Sequence, residues 1–439
     1  MEIQYWDKRT ETLPRERIEE RQLRLLKETV GKALRTPFYA ERLGYAGVRS
    51  AEDITTLADL ERIPFTTKND LREAFPYGLL GVDRRQVVRL HASSGTTGTP
   101  TVIYHTASDL DGWTELVTRC IACTGCGDED VFQNMMTYGL FTGGLGLHYG
   151  AERIGMLVIP ASSGNTKRQF KLMKDFGTTV VHATPSYLLH LYSKLEEEGL
   201  SLADLKLKKA LVGAEPHSED IRRKIEELFG IDVYNSYGLS EMNGPGVAFE
   251  CQFKSGMHVW EDAYIMEVID RQTLEPVDDG LEGELVLTTL KRTATPLLRY
   301  RTRDLTAVYP DECACGRTHR RIRRIKGRTD DMLIINGVNV FPSQIEEVIM
   351  RCPEIGTNYQ IVVEKAGALD KLTVKTEVGP EIFSDDARDM NRLSRRVRDN
   401  LKASISISPA VELHEPGVLP VSEGKAVRVI DERPVQDNG

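Results

Sequence analysis

The chain has 439 residues, 40% of them apolar and 28% charged, and a net charge of −9. That length holds two or three domains with a sizeable core, and the composition is that of a globular enzyme. The negative balance gives no general attraction to nucleic acid or to an anionic membrane. The opening "MEIQYWDKRTETLPRER" is charged from residue 2 and has no apolar core, so it does not read as a signal peptide. Seven cysteines, odd in number and unevenly spaced, argue against a disulfide framework and for a reducing cytoplasm.

Residues 14–45 are predicted helical, with Leu23, Leu25, Leu26, Val30 and Leu34 near helical spacing. In "IPFTTKNDLREAF" a turn at Pro64 precedes Thr67, an expected N-cap. "VVRLHASSG" is a short β-branched run entering a glycine loop. Residues 131–151 carry no Asp, Glu, Lys or Arg over 21 positions. Gln133, Asn134, Thr137, Thr142, His148 and five glycines make that stretch too polar and flexible for a lipid-facing helix. It reads as an interior strand and loop near a ligand.

Segments 155–160, 178–199 and 207–230 repeat strand, turn and helix, and 231–241 opens with another strand. This alternation predicts α/β layers with parallel strands. From about 245 to 310, "GVAFECQ", "YIMEVID", "GELVLTTL" and "LTAVYP" read as strands of a β-rich subdomain. After "RIKGRTDD" the pattern restarts as a small α+β domain: "MLIING", the helix "PSQIEEVIMRC", a hairpin, then the helix "DARDMNRLSRRVRDNLKAS". The expected domains are therefore 1–328 and 329–439, with the boundary at 328–331.

"SSGTTGTPT" concentrates hydroxyls and glycines, the composition of a loop whose N–H and O–H groups converge on phosphate, although such clusters also make ordinary turns. Thr99 stands where a phosphate-binding Walker loop would have its lysine. "VGAEP" (212–216) ends a strand with small residues. "NSYGLSEM" (235–242) sets Tyr237 and Glu241 just past a strand end, where ligands sit in open α/β sheets. Glu241 is an oxygen donor of the kind that holds Mg²⁺ against nucleotide phosphates.

In this order and spacing, these segments with "YRTRDLT" and "IKGRTDDMLIINGVNVFPSQIEE" resemble the adenylate-forming superfamily. "YGLFTGGLGLHYG", "CACGRT" and "LPVSEGKAVRVID" narrow the resemblance to the phenylacetate-CoA ligase family, from about Tyr5 to Arg433. The resemblance implies that Ser93, Ser94, Gly95, Thr96, Thr97 and Gly98 grip the triphosphate of ATP. It places Gly213, Ala214, Glu215, Pro216, Ser236, Tyr237 and Gly238 around the adenine, and Glu241 on Mg²⁺. It gives Asp304 to the ribose hydroxyls with Arg328 assisting, Asp330 to the hinge of a mobile C-terminal domain, and Lys425 to adenylation. The implied reaction activates an aryl acid, phenylacetate foremost, as acyl-AMP and passes it to CoA. Benzoate or a hydroxylated relative, or a carrier protein as acceptor, stay open, and a homodimer is implied only by analogy.

The same resemblance lines the acid pocket with Tyr138, Phe141, Thr142, Gly143, Gly144 and Ala214, a flat apolar slot suited to an aryl ring; ordinary core packing is the competing reading. Cys251, His258, Cys313 and Cys315 offer three thiols and an imidazole for a structural Zn²⁺. Cys120, Cys123, Cys126 and Cys352 read as packing or surface residues. Seven Lys and Arg in "CACGRTHRRIRRIKGR" would also suit a zinc module that binds RNA, but the net charge and the lack of interleaved aromatics disfavour it.

Overall fold

A computed structural model describes residues 3–93, 100–367, 369–379, 387–420 and 427–433. The chain divides into two compact units. One is built from Met1–Ala183, Ala203–Ala214 and Asp232–Ile325, the other from Thr184–Leu202, Glu215–Ile231 and Lys326–Gly439.

In the first unit the predicted helical stretch 14–45 is two helices, Arg15–Ala33 and Pro37–Tyr45. Thr36 lies in extended backbone, its side chain caps the Tyr39 N–H, and Pro37 opens the second helix. Proline suits that first position because it has no N–H to satisfy there and its fixed φ already matches a helix. Thr67 caps the short helix Lys68–Glu73, with Asp70 closing a reciprocal box.

The central sheet runs Arg321–Ile322, Met257–Val259, Ala248–Glu250, Asp232–Tyr237, Lys209–Val212, Val180–Ala183, Val131–Asn134 and Leu157–Ile159. Its last five strands are parallel. Val180–Ala183 is buried along its whole length, as expected where both faces of a strand are covered. A second, antiparallel sheet contains Tyr264–Ile269, Gly283–Thr289 and Tyr300–Thr306. The strand expected at 305–310 instead begins and ends earlier, at Tyr300 and Thr306, and its second residue, Arg301, pairs both oxygens of Glu284 on the neighbouring strand.

The uncharged stretch 131–151 departs from the expected strand and loop. Its strand is Val131–Asn134, but the glycine-rich part forms the helix Thr142–Ile154. A Cβ at Gly146 would stand 2.6 Å from the Trp113 ring, and one at Gly150 would stand 2.7 Å from Val117 Cγ1. These glycines let the helix lie tightly on the neighbouring helix Ala107–Cys123, and that packing offsets their poor helix propensity.

In the second unit the strands lie in the order Ala410–His414, Leu369–Val378, Ile355–Ala366 and Val429–Asp431. The helix Ala387–Ile405 buries Leu393, Val397, Leu401 and Ile405, a strict four-residue stripe, against this sheet's core. Helices Pro185–Lys194 and Glu219–Phe229 belong to the same unit, where the Ser218 amide at the head of the latter donates to Glu346 Oε1 at 2.9 Å. No described helix is long and apolar enough to cross a membrane.

Candidate active site

Strand ends of the first unit gather the predicted nucleotide residues. Lys209–Val212 runs out into Gly213 and Ala214, its parallel neighbour Asp232–Tyr237 ends in Ser236 and Tyr237, and Tyr300–Thr306 carries Asp304. The Tyr237 hydroxyl donates to Asp304 Oδ2 at 2.5 Å, and both side chains are buried. A Cβ on Gly213 would stand 2.6 Å from the Ser236 carbonyl oxygen, and one on Gly238 would stand 2.5 Å from Gly244 Cα. Those two glycines therefore answer first to chains passing close by. Ser236 Oγ donates to the Val212 carbonyl at 3.0 Å, and Ala214 is exposed with φ +67°.

Glu241 sits on the single turn Ser240–Met242 and is buried. Its Oε1 accepts from Thr101 Oγ1 at 3.3 Å and lies 4.0 Å from Lys68 Nζ, while the Arg292 guanidinium donates to its carbonyl. Ser93 hydrogen-bonds Thr101, so the near flank of the glycine loop reaches Glu241 through one side chain. Ser94, Gly95, Thr96, Thr97, Gly98 and Lys425 lie outside the described residues.

The second unit brings another set together. Arg328 grips Asp330 with two parallel bonds of 2.8 Å. The Glu215 carboxylate accepts from the Ser186 amide at 2.7 Å and its hydroxyl at 3.0 Å, at the positive end of the helix Pro185–Lys194. Glu215, Pro216 and Asp330 share the wall of a cavity of about 440 Å³ with Glu346 and Arg428.

Of the predicted acid-pocket residues, Tyr138 is the most tightly held. Its hydroxyl accepts from Asn134 Nδ2 at 3.0 Å and pairs with His148 Nδ1 at 3.2 Å. Asn134 Oδ1 pairs in turn with His182 Nδ1 at 3.1 Å, and His148 Nε2 lies 3.0 Å from Glu152. Burial pushes the Tyr138 phenol up to about 12 and the His182 imidazole down to about 3, so both are neutral near pH 7. Thr142 is buried and meets Ser240 Oγ at 3.3 Å; Phe141 is 45% exposed. Gly143 has only Met136 Cε near its Cβ direction, at 3.7 Å, whereas Gly144 faces the Thr137 carbonyl at 2.7 Å.

Cys251, His258, Cys313 and Cys315 converge, with all four donor atoms within 4.8 Å of one another and all four residues buried. Cys251 and Cys313 sulfurs are 3.7 Å apart, and Cys315 Sγ is 3.3 Å from His258 Nε2. A tetrahedral zinc with Zn–S bonds of about 2.3 Å has S···S edges of about 3.8 Å. His258 Nδ1 faces the His319 carbonyl at 3.0 Å, which fixes Nε2 as the atom left for a metal. Cys120, Cys123, Cys126 and Cys352 are buried. Much of the basic run 313–328 is engaged within the chain: Arg317 pairs with Glu11, Arg320 with Glu261 and Arg324 with Glu250, while the exposed Arg323 covers the Tyr309 ring.

Sequence reasoning passed over Lys68, Arg292, His182 and the hydrogen-bond roles of Asn134 and His148. Asn134 and His148 stood out as polar residues in an uncharged run, which was signal enough to look for a buried chain. Lys68 and Arg292 gave none, because only the fold brings them to Glu241.

These layers are those of an AMP-binding enzyme. The AMP-binding enzyme family matches residues 48–290, and the AMP-binding enzyme C-terminal domain matches residues 337–433. The phenylacetate-coenzyme A ligase of Thermus thermophilus is 46% identical over 438 residues, covering 96% of this chain and 98% of the relative. That of Pseudomonas putida is 46% identical over 90% of each chain. A crystal structure of 2-hydroxyisobutyryl-CoA ligase with an acyl-AMP, in the postadenylation state, is 28% identical, matches with a TM-score of 0.91 and covers 98% of this chain and 92% of its own. The same ligase with 2-HIB-AMP and CoA in the thioesterification state matches at 0.71 with the same coverage. The chain belongs to the phenylacetate-coenzyme A ligase family, a family of acid–thiol ligases.

Proposed function

We propose that the enzyme joins phenylacetate, or a close aryl relative, to CoA at the expense of ATP. Full-length kinship with the phenylacetate-coenzyme A ligases carries this reading. A carboxylate resists attack because it is anionic and has no good leaving group. Its oxygen attacks the α-phosphorus of ATP, the bond to the β-phosphate oxygen breaks, and pyrophosphate departs. The CoA sulfur then attacks the acyl carbonyl, AMP leaves, and the thiol proton goes to solvent.

In this scheme Asp304 accepts the ribose hydroxyls, and the Tyr237 O–H holds its other face in place. The glycine loop from Ser93 to Gly98 donates to the triphosphate. Glu241, a buried carboxylate beside Thr101, is the Mg²⁺ ligand; bound there, the ion would neutralise phosphate charge. Tyr138, Gly143 and Ala214 border the aryl ring. Lys425 bridges the two anions of the first step. One ammonium at ~4 Å and an effective dielectric of ~20 is worth about 4 kcal/mol, roughly a thousandfold in rate. Cys251, His258, Cys313 and Cys315 hold a structural Zn²⁺, since four closed ligands leave no position for substrate.

The test is a panel of aryl and fatty acids with Mg-ATP and CoA, run on the wild type and Lys425→Ala. Phenylacetate should rank among the best substrates, and the variant should lose about a thousandfold in ATP–pyrophosphate exchange. Turnover of aliphatic acids alone would remove the aryl pocket; full exchange in the variant would remove the lysine mechanism.

A further inference from the structure

We propose that the metal held by Cys251, His258, Cys313 and Cys315 fastens the N-terminal end of the chain to the body of the first unit. This rests on the structural-metal reading above. The turn that supplies two of the thiols is also the surface on which residues 4–11 lie. The Tyr5 hydroxyl donates to the Cys315 carbonyl at 2.6 Å. Arg317, two residues further on, donates through Nε to Glu11 at 2.6 Å and through Nη2 to the Gln4 carbonyl at 2.5 Å. Its guanidinium lies 4.6 Å from the centre of the Tyr5 ring. The Thr318 amide donates to the Glu11 carbonyl at 3.1 Å, and the His319 ring meets the Thr10 carbonyl at 3.1 Å. Glu11 turns back to accept the Trp6 and Asp7 amides at 2.9 and 2.8 Å.

All of these bonds but the last two depend on the shape of residues 313–319. Its far end is held at His319, by the Glu261 amide at 2.9 Å and opposite His258 Nδ1 at 3.0 Å, so the part left to the metal is the turn 313–317. The turn closes with a Gly316 amide to Cys313 carbonyl bond of 3.0 Å, and Gly316 needs φ +75° to make it. A side chain at Gly316 would begin 3.1 Å from the Tyr5 hydroxyl. Fixing the backbone of such a turn costs conformational entropy, which metal bonds to Cys313 and Cys315 would offset. The Arg317–Glu11 pair is 1% and 0% exposed, so it holds only while the turn keeps both groups in register. Once the turn slackens, water competes for both charges and the segment comes away.

The dependence runs one way. No metal ligand lies on the N-terminal segment, so the segment needs the metal while the metal does not need the segment. Hydrogen exchange on the full-length protein tests this, before and after zinc is stripped with a chelator, with metal counted in each sample. About one zinc per chain is expected, and its removal should speed exchange at residues 5–12 about a hundredfold, with the helix Ala387–Ile405 unchanged. The double variant Tyr5→Phe, Glu11→Gln should show the same fast exchange while keeping its zinc. Less than half an equivalent of zinc overturns the metal reading, and this proposal with it. Zinc present but exchange unchanged on its removal, exchange rising equally throughout the chain, or zinc lost from the double variant each overturns the fastener alone.

Discussion

Glu346 carries a local cost in the second unit: a carboxyl buried where the chain offers only partial compensation. Loss of solvent pushes it up from its ordinary value to about 7, and the Glu215 carboxylate pushes the same way. The Tyr359 hydroxyl at 2.6 Å, the Ser218 amide at 2.9 Å and the Arg428 charge pull it down without winning. The sign follows from the raised value. The folded state keeps the proton up to about pH 7, whereas the unfolded chain releases it near 4.5, so this contribution is complete below pH 4.5 and is lost between 4.5 and 7. The gap corresponds to roughly 3 kcal/mol. Glu346→Gln should flatten that dependence and leave the second unit at least as stable as wild type at pH 8. Urea midpoints of the second unit from pH 5 to 8 check it; parallel curves for the two proteins would refute the assignment. At this scale the sequence marked the residues that carry motifs, such as Asp304 and Tyr237, and their contact is seen in the fold. Glu346 falls inside the segment "IKGRTDDMLIINGVNVFPSQIEE", but nothing there singles it out, and its burial depends on a helix more than a hundred positions earlier in the chain.

The helix Thr142–Ile154 shows where element reading stopped. Four glycines in thirteen residues argue against a helix on propensity, by about 1 kcal/mol each in the interior. What overrides propensity is the face of the Ala107–Cys123 helix, and no local window contains it. Elements whose signal is internal were legible: the N-cap at Thr67, the helix of "DARDMNRLSRRVRDNLKAS" and the hairpin of 359–378. The fold holds them as a cap on Lys68–Glu73, the helix Ala387–Ile405 and the strand pair Ile355–Ala366 with Leu369–Val378. The contact also separates glycines that look alike in sequence. Gly150→Ala drives a Cβ to 2.7 Å from Val117 Cγ1 and 3.0 Å from the Thr118 amide nitrogen, so the two helices must part. Overpacking of this kind costs about 1–3 kcal/mol, more than the helix propensity gained. Gly143→Ala meets only Met136 Cε at 3.7 Å and should fold normally. Thermal melts should therefore show a lower Tm for Gly150→Ala and none for Gly143→Ala. If Gly143 borders the aryl ring, its variant should instead raise KM for the acid and leave KM for ATP alone. Equal Tm losses at both positions would mean that helix contact does not decide the role of these glycines.

At the scale of the whole molecule, the order of motifs along the chain announced a nucleotide enzyme well before any strand was placed, because ligand loops recur at the ends of parallel strands. The grouping of helices Pro185–Lys194 and Glu219–Phe229 with the C-terminal segment could not be read that way, since it rests on pairs such as Ser218 with Glu346 and Asp220 with Arg351. The two half-reactions set the remaining question. The family resemblance implies that Lys425 serves the first, and that the C-terminal domain then turns about Asp330 to admit the thiol. Asp330 stands in a turn, tied to Arg328 by two 2.8 Å bonds, and a change of its dihedrals must break that clamp. Proline fixes φ near −65° and removes the clamping carboxylate as well, so the substitution confines the hinge while loosening Arg328. Asp330→Pro should keep pyrophosphate exchange within a few-fold of wild type, yet slow thioester formation by about a hundredfold or more, the scale of loss from misplacing a reacting group by an ångström. Asp330→Asn removes the charge and leaves the backbone free, and should impair neither step so unequally. Measured side by side, equal losses in both half-reactions for the proline variant, or an asparagine variant that matches it, would show that position 330 acts through its carboxylate and not through its backbone.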